Sequence, residues 1–258
     1  MCLLARPIRG IDSAKMEGKM VSLESMGSDK EKELIWHRRY KIFTRLYKGR
    51  EDVIAEHRNG EYVPVEGEGL TFERFLDHVQ VKKTYAVYNK DDAGKVNFGL
   101  FDVDVFPRDK GWAPILSALE GKKRDTLLIM RTLEEMGVER RNLLVEFPTV
   151  GYHLLIFFDQ PVSARALKKV MGLALQRSGL EQIPFYPRKV DDTPWGDRVQ
   201  LPLRINNNTS RRSNFVSDLE SFDPEHYSDE QNFDLLDQVV PISSVWVGSV
   251  LAKYGLES

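Results

Sequence analysis

The sequence predicts an α/β or α+β fold built on a mixed sheet, and three observations carry that prediction. Short apolar runs rich in β-branched and aromatic residues recur along the chain: "KTYAVYN", "VNFGLFDVDVF", "NLLVEF" and "YHLLIFF". Segments with helical spacing of apolar residues lie between them. The 258 residues, 41% of them hydrophobic, suffice to bury a large core in one folding unit.

Taken in order, residues 1–28 are rich in Ser, Gly, Met and Lys without periodicity, and are expected to form a disordered tail ahead of a single domain over 29–258. "SDKEKELIWHRRYKIFTRLYKG" predicts a helix: Ser28 or Asp29 caps it, acids fill its first turn and bases its last, and Gly49 ends it. Leu34, Ile35, Ile42, Phe43 and Leu46 are expected to face the core. A short helix follows Thr71 in "TFERFLDHVQ". "KTYAVYN" and "VNFGLFDVDVF" are expected to pair as a hairpin through the polar turn "KDDAGK". A helical stretch through "APILSALEGKKRDTLLIMRTLEEMG", with a break near Gly121, precedes the apolar pair "NLLVEF" and "YHLLIFF". Ser163 caps a helix in "SARALKKVMGLALQRSG", and strand-like "RVQLPLRI" and "SNFVS" come before a last helix after Ser243.

Composition removes several classes of function. With 37 Lys and Arg against 39 Asp and Glu the net charge is -2, so any nucleic-acid site must be local rather than a property of the whole surface. The single cysteine, Cys2, excludes internal disulfides and cysteine-based zinc sites, so no zinc is expected, and it agrees with a reducing, cytoplasmic setting. No apolar run approaches the roughly 20 residues of a spanning helix, so no membrane partner is expected.

Within "GLFDVDVF", Asp102 and Asp104 project from one face of a strand whose other face carries Phe101, Val103 and Val105. Two carboxylates held together repel, and removed from water they need a cation or a proton, for which a divalent metal is the natural candidate. An edge strand with its acids in solvent is the alternative. His153 opens "YHLLIFF" just after the turn "TVG", where it could reach a phosphate with help from Thr149 and the turn's backbone N–H groups around Gly151. The alternative is a core histidine bonded to a carbonyl. Histidines 37, 57, 78 and 226 lack metal-ligand spacing and are expected at the surface or in packing. Arg188, Lys189, Arg198, Arg204, Arg211 and Arg212 outnumber the local acids, which suits phosphate binding or, alternatively, a solvated loop. Asp218, at the end of "SNFVSD", offers a third carboxylate.

The order of these pieces resembles the archaeo-eukaryotic primases, most closely the primase-polymerase domain of TOTE-type conflict systems. "KIFTRLYKGREDVIAEH" is similar to the segment ahead of that family's motifs, and "GLFDVDVF" stands where its first acidic motif belongs. "VEFPTVGYHLLIFFDQPVSA" resembles its serine–histidine block, with Thr149 in place of serine. "FYPRKVDDTPWGDRVQLPL" and "RSNFVSDLESFDPEHY" resemble its later motifs, so the likeness covers roughly residues 40 to 235.

The resemblance implies a primase fold, an N-terminal α/β lobe (29–95) packed on an RRM-like catalytic core (96–240) with a C-terminal helix (241–258). It implies template-directed nucleotidyl transfer from NTPs or dNTPs to a primer on single-stranded DNA, by a two-metal mechanism. Asp102, Asp104 and Asp218 would hold Mg²⁺ or Mn²⁺, and Thr149, Gly151 and His153 would bind the nucleotide with Arg204 and with Arg188, Lys189 or Arg212. The sequence contains no G-x-x-x-x-G-K-S/T motif, so unwinding would fall to a partner helicase or a further domain. Two rival readings are a metal-dependent nuclease or relaxase-like initiator and a non-catalytic single-strand-binding module.

Overall fold

The computed structural model describes residues 28–105, 112–191, 193, 195–206, 210–227 and 231–257. The tail expected over 1–28 lies outside the described residues except for Ser28.

Helix α1 (Asp29–Leu46) begins where expected, with the Glu31 carboxylate accepting the Ser28 N–H at 2.6 Å, and ends short of Gly49. Leu34 is a correction. It lies nine residues before the buried Phe43, and at about 100° per residue that is half a turn round the helix, so it is 71% exposed. Strands β1 (Val53–Arg58) and β2 (Glu61–Glu66) form a hairpin that the sequence reading passed over. Its signal is "NG": Asn59 and Gly60 both take positive φ, 51° and 88°, as a two-residue turn between twisted strands requires. Thr71 caps α2 (Phe72–Val79) by accepting the Arg74 N–H.

Strands β3 (Tyr85–Tyr88) and β4 (Lys95–Asp104) form where expected, but not as a hairpin. A strand has two edges. Those of β3 are taken by β1 and by β8 (Arg198–Gln200), and those of β4 by β6 (Gly151–Ser163) and β7 (Phe185–Tyr186). The turn at 89–94 therefore carries the chain from one sheet to another.

Helix α3 (Trp112–Glu135) runs unbroken through Gly121, against the expected break; one glycine weakens a long helix by about 1 kcal/mol without ending it. A 3₁₀ turn at Arg140–Asn142 leads into β5 (Leu143–Phe147). Helix α4 (Ala164–Ser178) follows β6, capped by Ser163 as expected. The strand expected in "RVQLPLRI" shrinks to β8, because Pro202 lacks a donor and Leu203 takes a φ of 67°. β9 (Asn214–Val216), α5 (Asn232–Gln238), which the reading did not single out, and α6 (Val245–Lys253) complete the chain.

The sheets are ordered β2-β1-β3-β8 and β7-β4-β6-β5-β9. The second contains β4–α3–β5–β6–α4–β7 in the spatial order β7-β4-β6-β5, the arrangement of an RRM-like core, with β9 added at one edge. The α+β class holds. Among the described residues all strand pairings are antiparallel, however, and the mixture of directions expected is confined to the isolated parallel bridge Phe158–Ile242.

Period-2 alternation divides this core sheet into two faces. Phe101, Val103, Val145, Phe147, Tyr152, Leu154 and Ile156 pack with α3 and α4. Phe98, Leu100, Leu144, Leu155 and Phe157 face the other way, joining Phe43 of α1, Tyr47 just after it, Phe75 of α2 and Ile54 and Val87 of the first sheet. On that second face β4 changes character along its length, from Phe98 and Leu100 to Asp102 and Asp104.

Candidate active site

Three neighbouring strands build the site at the level where that second core ends. Register sets Asp102 of β4 opposite His153 of β6, and His153 opposite Glu146 of β5. One further step along β4, Asp104 pairs with Gly151. The ligand atoms of Asp102, Asp104 and His153 all lie within 4.8 Å of one another.

Gly151 is there for space. A Cβ at this position would come within 2.5 Å of the Asp104 Cα and 2.6 Å of its Oδ1. The turn before it is held from both sides, by Asn206 Nδ2 donating to the Pro148 carbonyl at 3.1 Å and the Val105 N–H donating to the Val150 carbonyl at 2.8 Å. Thr149, fully buried, takes a φ of 81°, a conformation that disfavours a β-branched residue by about 1–3 kcal/mol and persists only because its surroundings enforce it.

His153 is gripped between acids. Its Nδ1 lies 2.8 Å from Glu146 Oε2 and its Nε2 3.7 Å from Asp102 Oδ1. Burial alone pulls the imidazole pKa down, but the charge and hydrogen bond of Glu146, then the charges of Asp104 and Asp102, outweigh it and hold His153 up at about 9. At neutral pH the ring is therefore a cation among three carboxylates. Asp102 Oδ1 is buried and has no hydrogen-bond partner among the described residues. Two hard carboxylates converging on a buried, incompletely satisfied position fit a divalent ion such as Mg²⁺ or Mn²⁺.

Glu146 is the site residue that sequence reasoning missed. Its signal was the same as for Asp102: a lone charge inside an apolar strand, "LLVEF", on the face opposite Val145 and Phe147.

The other expected residues are placed differently. Asp218 is exposed in the turn after β9, where it accepts from the Glu220 N–H at 3.0 Å and the Ser221 hydroxyl at 2.7 Å, and these donors hold its pKa below the usual range. Phe215, not Asp218, stands level with Glu146. Asp218 opens instead onto a separate pocket of about 430 Å³, shared with Asp223, His226 and Asn232, so the structure does not bring the expected third carboxylate to the cluster.

Arg188 and Lys189 follow β7, whose antiparallel register with Leu100 and Phe101 carries them away from Asp104; their backbone N–H groups donate to the buried Asp197 at 2.5 and 2.8 Å. Arg212 donates to the carbonyl of Val79 at the end of α2. Arg204, half-buried, is fastened through its backbone to Ser213 and sits on the side of the N-terminal lobe, where its charge bears on Tyr62 and His78. Among the other histidines, His78 is buried, as packing requires.

Fold and cluster together define a class, an α+β protein whose RRM-like sheet presents a partly buried Asp-Asp-His group suited to a divalent metal. The family model described as "TOTE conflict system, Archaeo-Eukaryotic Primase domain" matches residues 38–247, and the chain belongs to this family. Among solved structures it is similar to the AEP domain (PP-N190) of the cyanophage S-2L primase-polymerase (PrimPol). That similarity has 15% identity, covers 82% of this chain and 98% of that chain, and has a TM-score of 0.37. Comparison with curated proteins finds no match. Family membership makes this a primase-type domain, with nucleotides and nucleic acid as the implied substrates and metal dependence as the implied chemistry. No helix among the described residues is long and apolar enough to cross a membrane.

Proposed function

We propose that the chain is a primase-polymerase that transfers nucleotidyl groups from NTPs or dNTPs onto a primer, directed by a single-stranded DNA template. The observation that carries this reading is the convergence of Asp102, Asp104 and His153 within 4.8 Å on one partly buried sheet face. Asp102 and Asp104 would hold Mg²⁺ or Mn²⁺, which when bound supplies positive charge to the attacking and leaving oxygens of an in-line displacement. The chain's own residues do the rest. Gly151 leaves room beside Asp104, and His153, as an imidazolium, donates from Nε2 to a triphosphate oxygen. Thr149 shapes the turn beneath it, and Arg204 neutralises phosphate charge from the side of the N-terminal lobe. Arg188, Lys189 and Arg212 take no part in it. A helicase, as a separate protein or as a further domain, would supply the single-stranded template.

The test is incubation of the protein with labelled nucleotides, a primed single-stranded template and Mn²⁺. Extension supports the proposal, cleavage points to a nuclease and binding without turnover to a silent module. His153→Ala separates a phosphate contact from a metal ligand. The expected result is a nucleotide KM raised about tenfold or more, with Mn²⁺ affinity in the absence of nucleotide nearly unchanged. A large loss of that affinity would make His153 a ligand.

A further inference from the structure

Glu146 is an unusual residue to find on the middle of a core strand. It is 3% exposed, and among the described residues its ion-pair partner is His153. A buried carboxylate is unfavourable unless something compensates it, and an apolar residue in "LLVEF" would pack without that penalty. The neighbouring lobe-facing residue on the same strand, Leu144, does just that in the second core.

What Glu146 does is visible in the row it belongs to. Glu146, His153 and Asp102 stand side by side on β5, β6 and β4. A carboxylate accepts hydrogen bonds and does not donate them, so the 2.8 Å contact with Glu146 Oε2 occupies His153 Nδ1 as a donor. The ring is then oriented with Nε2 toward Asp102 Oδ1, at 3.7 Å. Without Glu146 an imidazole can turn about its side-chain bonds and offer either nitrogen to the acid pair.

We propose that Glu146 is a positioning residue: it locks the His153 ring with Nδ1 occupied and Nε2 presented to the nucleotide triphosphate. The second half of this statement rests on the nucleotidyl-transfer reading of the site, and the first half does not.

Two measurements on the full chain test it. With ¹⁵N-labelled histidine and no metal or nucleotide, the native protein should show a hydrogen-bonded His153 Nδ1–H that exchanges slowly with solvent. Glu146→Gln, whose amide oxygen still accepts, should keep that signal, and Glu146→Leu should lose it. In steady-state extension with Mn²⁺, Glu146→Leu should raise the nucleotide KM about tenfold with kcat within roughly threefold of native, and Glu146→Gln should restore most of the KM. The double variant Glu146→Leu/His153→Ala should be no worse than His153→Ala alone, because both changes remove one function. A native protein with the slow Nδ1–H but no extension defeats the polymerase reading and leaves the positioning role standing. A rapidly exchanging Nδ1–H in native protein, or KM effects that multiply in the double variant, overturns the proposal. If Glu146→Leu does not fold, Glu146→Gln still decides: loss of the slow Nδ1–H in a folded Gln variant counts against it.

Discussion

Asp104 and Gly151 face each other across two strands, and each makes a demand on the other. Because a Cβ on residue 151 would meet Asp104 Cα and the Val103 carbonyl oxygen, both at 2.5 Å, Gly151→Ala must push the strands apart at the site. Overpacking of this kind destabilises by about 1–3 kcal/mol, so the melting temperature should fall by several degrees and extension should be lost with it. A variant as stable and active as native would mean that β4 yields there at no cost. Asp104→Asn probes the charge without the shape. It takes one carboxylate from a cluster of three carboxylates around one imidazolium, so the metal-free protein should melt at the same temperature or higher while nucleotide addition disappears. Retained extension by Asp104→Asn would sink the site as drawn, and a marked drop in melting temperature would make the aspartate a structural ion-pair partner.

Helix α2, strand β3 and the segment after β8 are tied together by a buried histidine. His78, on α2, donates from Nε2 to the Pro202 carbonyl at 2.7 Å and accepts the Tyr85 N–H of β3 on Nδ1 at 3.1 Å. Both ring nitrogens are satisfied only when the ring is neutral. Burial, opposed in part by the Pro202 carbonyl and supported by the charges of Arg212 and Arg204, lowers its pKa from 6.5 to about 4. Below pH 6.5 the unfolded chain takes up a proton that the native chain refuses. Stability contributed by the neutral ring is thus complete above pH 6.5, falls away towards pH 4 and then levels, a loss of about 3 kcal/mol at 1.36 kcal/mol per pKa unit. His78→Gln cannot titrate, so between pH 7 and pH 4 native protein should lose about 3 kcal/mol more than the variant in urea unfolding. Parallel stability curves would show that the histidine is accessible to protons in the folded state.

At the scale of the molecule, the site lies where two cores meet. Tyr47, just after α1, packs on Phe98 and Phe157 of the core sheet, and burial together with the charge of Glu146 raises its hydroxyl pKa. An ion bound by Asp102 and Asp104 is bound only by the folded arrangement of β4 and its neighbours, so binding must stabilise the whole. At a free Mn²⁺ concentration a hundredfold above Kd the gain is about 2.7 kcal/mol, a rise of several degrees in melting temperature for a chain of this size. Asp102→Asn/Asp104→Asn should abolish that rise. Equal Mn²⁺ stabilisation of native and double variant would place the ion elsewhere, with the acidic turn around Asp218 and Asp223 the first place to look.

Much of this was legible in the residues themselves, because it depends on short-range periodicity. Alternation in "GLFDVDVF" set Asp102 and Asp104 on one face whatever the strand paired with, and helical spacing with Ser28, Thr71 and Ser163 as caps marked the helices. The turn "TVG" ahead of His153 singled that histidine out from the other four. Tertiary structure alone decided which strand lies on each edge. β3 and β4 are separated by a few residues yet enter different sheets, because each satisfies both of its edges with strands distant in sequence. That choice seats Asp102 beside His153 and carries Arg188 and Lys189 away from the acids, and the end of β9 leaves Asp218 in a turn of its own. A side chain's face is settled by its nearest neighbours in the chain, whereas its row is settled by the packing of all the strands at once.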